Sequence, residues 1–162
     1  MNIKNITLGL LLSFSSILHS EPIEIPQYDD LNKARLSSQQ CLAVNLYHES
    51  RSESDIANMM IIMVVLNRVD DTRYPNDICS VVFQRKQFSW TSDKLSDKIN
   101  DEFQYERLYR LVEQALLNKE FLLDMSEGVT HYHTVTSNPY WSSSKRLQYI
   151  NTIDNHKFYR RL

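Results

Sequence analysis

Met59 to Leu66 is an unbroken run of eight apolar residues, and Ser54 and Asp55 stand ahead of it to start a helix. A helix that is apolar on every side has no face to offer water. It belongs at the centre of a fold, with other elements packed around it. The rest of the chain contains those elements. Ser37 and Ser38 can cap a helix from about Gln39 to Ser50, with Cys41, Leu42, Val44, Leu46 and Tyr47 as its apolar surface. Tyr74-Pro75-Asn76-Asp77 reads as a turn, followed by a short segment Ile78–Phe83. Between about Asp101 and Asn118 a helical period brings together Tyr105, Leu108, Leu111, Val112, Ala115 and Leu116. After Gly128 the period becomes two, with Val129, His131 and His133 on one side and Thr130, Tyr132 and Thr134 on the other, which predicts a strand. Two further strands fit around Leu147–Ile153 and His156–Arg160, joined by Asp154-Asn155. Helices first and a small antiparallel sheet last is the order of an α+β domain.

The first twenty residues are of a different kind. Lys4 is the only charge before Glu21, and Ile6–Leu18 is apolar apart from Thr, Ser and Gly. A short basic start, an apolar stretch and then His19-Ser20 form the layout of a secretory signal peptide, with cleavage expected after Ser20. The stretch falls short of the ~20 residues that span a bilayer. An uncut N-terminal anchor is the alternative, and the one route by which this chain would hold to a membrane. Residues 21–36, with Pro22 and Pro26, read as an extended lead-in, and residues 37–162 as the working domain. Export to the periplasm, cell envelope or medium changes how the cysteines read. Cys41 and Cys79 are an even pair in an exported chain, which favours a disulfide over two buried thiols. A net charge of −2 gives no basic footprint for nucleic acid.

Several residues could carry chemistry. Glu49 leaves an apolar helix directly before the polar stretch Ser50-Arg51-Ser52-Glu53-Ser54. One desolvated flank raises a carboxyl pKa and suits the group to act as an acid near neutrality. A solvated helix-end charge is the plainer reading of Glu49, and Arg51 and Glu53 read equally well as loop charges paired with neighbours. His131-x-His133 has the spacing of two zinc ligands, with His48, Glu49 or His156 as a third. The same two histidines also fit the flank of a substrate groove or a half-buried sheet. Gln87-Phe88-Ser89-Trp90, and Tyr140-Trp141 after Pro139, set aromatic faces beside amide and hydroxyl groups, a mixture that suits a sugar or an ordinary core edge. Neither a nucleophile elbow nor a glycine-rich phosphate loop is present.

Taken together, these segments resemble a known family. Residues Cys41 to Glu53, with Tyr47-His48-Glu49-Ser50-Arg51-Ser52-Glu53 at their end, Val64-Val65-Leu66-Asn67-Arg68-Val69, and Tyr74 to Gln84 follow one another at sensible spacing. Gln87-Phe88-Ser89-Trp90 with Asp93, Gly128 to His133, Pro139, Trp141 and His156-Lys157-Phe158-Tyr159 continue the match. The pattern resembles the SleB-type cell wall hydrolases, which include spore cortex-lytic enzymes and related bacterial and phage peptidoglycan-cleaving proteins. The resemblance implies a helix-rich domain like lysozyme or a lytic transglycosylase, with a small antiparallel sheet near its C-terminus. It puts the family's catalytic acid, the Glu of a Tyr-x-Glu-x-Arg-Gly-Glu motif, on Glu49. Arg51, Glu53, Gln87, Ser89, Trp90, Asp93, Thr130, His131, Tyr132 and His133 become substrate-binding candidates. The expected partner is a peptidoglycan glycan strand, bound by a monomer with no cofactor or metal. The expected reaction is transglycosylation between N-acetylmuramic acid and N-acetylglucosamine. The alternatives are hydrolysis with Asp93 or Glu53 as second carboxylate, or a zinc amidase built on His131 and His133. The chain departs from the family at Ser52, where a Gly is usual, and at Ala57-Asn58, where Gly-Gln is usual. These departures bear on the backbone of the loop after Glu49.

Overall fold

The computed structural model describes residues 22–26, 36–93 and 96–162. The expected signal segment lies outside them, as does most of the lead-in. Helix α1 (Ser38–Ser50) opens with a capping box: Ser37 Oγ accepts from the Gln40 amide at 3.1 Å, and Gln40 Oε1 accepts from the Ser37 amide at 2.9 Å. Its residues Cys41 to Tyr47 are all buried. Helix α2 (Asp55–Asp70) is capped by Ser54 and carries the apolar run, with Met60 to Leu66 buried. It touches α1, the short helix α3 (Ile78–Val82), α4 (Glu102–Leu117), α5 (Lys119–Met125) and strand β1 (Val129–Thr134). That is the central place the run requires. Burying side chains of this size contributes about 1.5–3 kcal/mol each.

Helix α4 starts at the Asp101 cap and buries Tyr105, Leu108, Val112 and Ala115. The Tyr47 hydroxyl accepts from the amides of Asn100 and Asp101 at 3.1 and 3.0 Å, which fixes where α4 begins against α1. A disulfide joins Cys41 of α1 to Cys79 of α3. On the chain-entropy account, closing a loop of that length stabilises the fold by roughly 3–4 kcal/mol.

The sheet has the order β1-β3-β2, with β2 (Leu147–Ile153) and β3 (His156–Arg161) joined by a tight turn at Asp154-Asn155. Both strand pairs are antiparallel. The strict alternation expected along residues 129–134 does not hold, because a bulge falls between Val129 and His131. Val129 therefore lies in the helical core together with Tyr132 and Phe158, while His131 and His133 meet Trp141 and Tyr159 on the other face. Among the described residues, no helix is long and apolar enough to cross a membrane.

Candidate active site

Glu49 sits in the last turn of α1, where the buried helix meets a cavity of about 530 Å³. The Tyr132 hydroxyl donates to Glu49 Oε2 at 2.9 Å. Burial pushes the Glu49 carboxyl above its usual range, while that hydrogen bond and the positive charge of Arg68 pull it partly back. The Tyr132 hydroxyl is itself driven well up by burial and by the neighbouring carboxylate, so it stays a proton-bearing donor. A carboxyl so placed holds a proton at higher pH than a surface Glu, yet has two groups ready to steady it once ionised.

Arg68, near the end of α2, is the second charge of the cavity and is 5% exposed. Its Nε donates to the Thr130 carbonyl at 2.8 Å. Its guanidinium lies 5.4 Å from the Tyr74 ring centre and 5.8 Å from that of Phe88. Aromatic faces of this kind stabilise a desolvated cation. His48 stacks on Trp90 at 4.7 Å, and Trp90 donates to the buried Asn45 Oδ1 at 3.1 Å. Burial lowers the pKa of both His48 and His156, so both imidazoles lining the cavity favour the neutral form.

The loop that follows Glu49 is held in place by Asn58. The Ser50 hydroxyl donates to Asn58 Oδ1 at 2.7 Å, and Asn58 Nδ2 donates to the carbonyls of Glu53 and Ser54. Among the described residues, positive φ outside glycine occurs at Lys86, Glu127 and Asp154. Ser52 therefore keeps a backbone open to any residue, and the missing family glycine brings no strain there.

The sequence candidates separate in space. Glu49, Gln87, Ser89, Tyr132 and His133 line the cavity. Trp90 is 6% exposed and acts from behind, through His48. The Arg51 guanidinium rests 5.1 Å from the Tyr47 ring centre and donates to the Tyr47 carbonyl. Glu53 accepts from Asn155 Nδ2 at 2.9 Å, tying the loop to the β2–β3 turn. Asp93 is exposed beyond a short 3-10 turn, outside the cavity lining. The Thr130 hydroxyl accepts from the Arg161 amide and meets His131 Nδ1 at 2.9 Å. His131 lines a different cavity. Among the described residues, no three His, Cys, Asp or Glu side chains gather to hold a metal ion. His133 already spends Nε2 on the Tyr159 hydroxyl and Nδ1 on the Thr134 carbonyl, each within 2.9 Å.

The cavity wall also holds His48 and His156, which the sequence offers only as third zinc ligands, Phe88, which it offers only in an aromatic pair, and Arg68, to which it assigns no role. The available signal for Arg68 is its place, a cation two positions beyond an all-apolar run in a helix with no free face.

A family model described as Cell Wall Hydrolase matches residues 52–159, a span that begins just after Glu49. Two solved structures share the fold: the catalytic domain of the germination-specific lytic transglycosylase SleB from Bacillus anthracis, and that of the SleB protein from Bacillus cereus. Each is 24% identical with a TM-score of 0.58 over 75% of this chain, covering 92% and 88% of the two domains respectively. No curated protein matches the chain.

Proposed function

Because the chain belongs to the Cell Wall Hydrolase family, we propose that it cuts peptidoglycan glycan strands as a lytic transglycosylase, with Glu49 as acid and then base. The observation that carries this reading is that Glu49 is the one carboxylate among the described residues lining its cavity. Glu49 gives its proton to the oxygen that links muramic acid C1 to the next sugar, and the C1–O bond breaks as positive charge develops at C1. Tyr132 and Arg68 stabilise the carboxylate so formed. That carboxylate then takes the proton of the muramoyl C6 hydroxyl as its oxygen closes onto C1. The product is a 1,6-anhydro end, Glu49 regains its proton, and no water is consumed.

A two-carboxylate hydrolysis finds less support. Glu53 is engaged by Asn155, and Asp93 stands outside the cavity wall. A zinc amidase would need His133 to give up its present partners. In this reading residues 1–20 direct export, residues 37–162 form the catalytic domain, and the enzyme works as a monomer in the cell envelope. The Cys41–Cys79 bond supports that location, since such bonds persist in oxidising compartments.

The test is mass spectrometry of fragments released from purified sacculi by residues 21–162 and by its Glu49→Gln variant. The expected result is 1,6-anhydromuramoyl ends that vanish with the variant. Ordinary reducing ends would replace transglycosylation by hydrolysis, and freed peptides on intact glycan would move the chemistry away from Glu49.

A further inference from the structure

On the other face of the sheet lies a second cavity, of about 330 Å³, whose wall includes His131, Trp141, Arg146 and Arg161, with Tyr140 among the lining residues. Strand register explains why two arginines meet there: Leu147 pairs with Arg161, so Arg146 and Arg161 fall at the same end of the β2–β3 hairpin. Neither guanidinium makes an ion pair or a side-chain hydrogen bond among the described residues. Arg68 and Arg73 add positive charge nearby. Burial, and then the charges of Arg68, Arg161 and Arg73, hold the His131 pKa down to about 4. Asp71 is the opposing carboxylate in this region, and Arg73 already grips both its oxygens. The cavity is thus cationic on a chain of net charge −2.

Its aromatic wall is continuous with the first site. The Trp141 ring lies 5.5 Å from both His131 and His133, and His133 also lines the Glu49 cavity. Tyr140 is 93% exposed at the edge of this cavity. A polymer lying in the Glu49 cavity therefore has a second point of contact along one aromatic rim, and that contact favours an anion.

We propose that this second cavity binds a carboxylate of the peptide stem carried by the glycan strand, with Arg146 and Arg161 as its counter-ions and Trp141 as a platform for the adjoining sugar. The inference rests on the glycan-cleaving reading above, because that substrate carries its stems on the sugars next to the scissile bond. Planar guanidinium forks match carboxylates well, and two of them with no hydrogen-bond or ion-pair partner for the guanidinium among the described residues are poised to bind. The enzyme would then tell peptide-bearing strands from stripped ones at a point away from the chemistry.

The experiment compares kcat/KM on peptide-bearing strands and on strands stripped of peptide, for the wild-type chain and for an Arg146→Gln/Arg161→Gln double variant. The wild type should favour peptide-bearing strands by about 10-fold, the scale of lost charge-assisted contacts. The double variant should lose that preference through KM, with kcat held and stripped strands cleaved as before. Trp141→Ala should raise KM in the same direction. Binding of free stem peptide to the Glu49→Gln chain, measured by calorimetry, should disappear with the arginine pair even if the double variant folds less well. Equal cleavage of both substrates by the wild type would overturn the inference, as would equal losses on both by the variant. Stronger competition by a glycerol phosphate polymer than by stem peptide would overturn it in favour of a phosphate site. A wild type that cleaves neither strand would sink the glycan-cleaving reading itself.

Discussion

The helical half and the sheet half of this molecule use apolar surface in opposite ways. Helices α1 and α2 bury Cys41 to Tyr47 and Met60 to Leu66 with no wet side, and Glu49 emerges only where that packing stops. The three-stranded sheet has two working faces. Tyr132 and Phe158 close the core on one, while His133, Tyr159 and Trp141 form an aromatic wall on the other. The two halves divide the labour: the helices desolvate the acid, and the sheet tunes it. Burial from the helical side raises the Glu49 pKa, and the Tyr132 hydroxyl from the sheet side lowers it again.

The largest expected effect would come from removing the point where the halves meet. Glu49→Gln should lower glycan cleavage by ~10²–10⁴-fold, the range for a lost general acid. It should also stabilise the fold at neutral pH. The sign follows from the raised folded pKa: ionising Glu49 costs stability above that pKa, and the cost is absent below the unfolded value near 4.5. Melting curves across pH should show the variant ahead at neutrality and the two chains converging in acid. A variant that is less stable at neutrality would break the claim that the helices desolvate this group.

Next in size is a cut confined to the helical half. A Cys41→Ala/Cys79→Ala chain should lose roughly 3–4 kcal/mol in denaturant unfolding, with kcat little changed while it stays folded. A proportionate fall in kcat would mean that the clamp between α1 and α3 sets catalytic geometry as well as stability.

Tyr132→Phe cuts the sheet side. It should leave the melting temperature within a few degrees and reduce kcat about 10-fold, the scale of one hydrogen bond to a charged group. Without the donated hydrogen bond the Glu49 pKa rises further, so the alkaline limb of the pH–rate profile should move to higher pH. An unmoved limb would remove Tyr132 from the tuning.

The smallest effects are expected at Glu53→Gln and Asp93→Asn, each within about threefold of wild type in kcat, because surface-side changes of this kind perturb little. A loss as large as that of Glu49→Gln at either position would restore a two-carboxylate hydrolysis.

Legibility in the sequence also divided along the two halves. The apolar run and the Ser37 cap announced α2 and α1 directly, because burial on all sides and capping are local signals. Helix α5 was missed for the converse reason: Lys119–Met125 has no fully buried residue to impose a period. In the sheet, alternation located β1 but misassigned Val129, since a bulge depends on the partner strand and leaves no mark on its own. At the site, Glu49 and Tyr132 stood in matching segments, yet nothing local distinguishes the buried Trp90 from the half-exposed Trp141. Arg68 could be recognised as part of the wall only after the helix that carries it had been surrounded.

The loop beyond Glu49 is cross-linked to the far end of the chain. The Ser54 amide donates to Asp154, Glu53 receives Asn155, and Tyr132 reaches back to Glu49 itself. These are contacts of very long sequence separation, and such contacts form late because the intervening chain must first be confined. An emerging chain with its first hundred residues already collapsed would hold the acid but lack its hydroxyl partner and the pins on its loop. The consequence is a built-in order of events: synthesis must reach the last hairpin before the carboxyl acquires a working environment. A chain cut short before residue 150 should keep its helices and yet have no competent site.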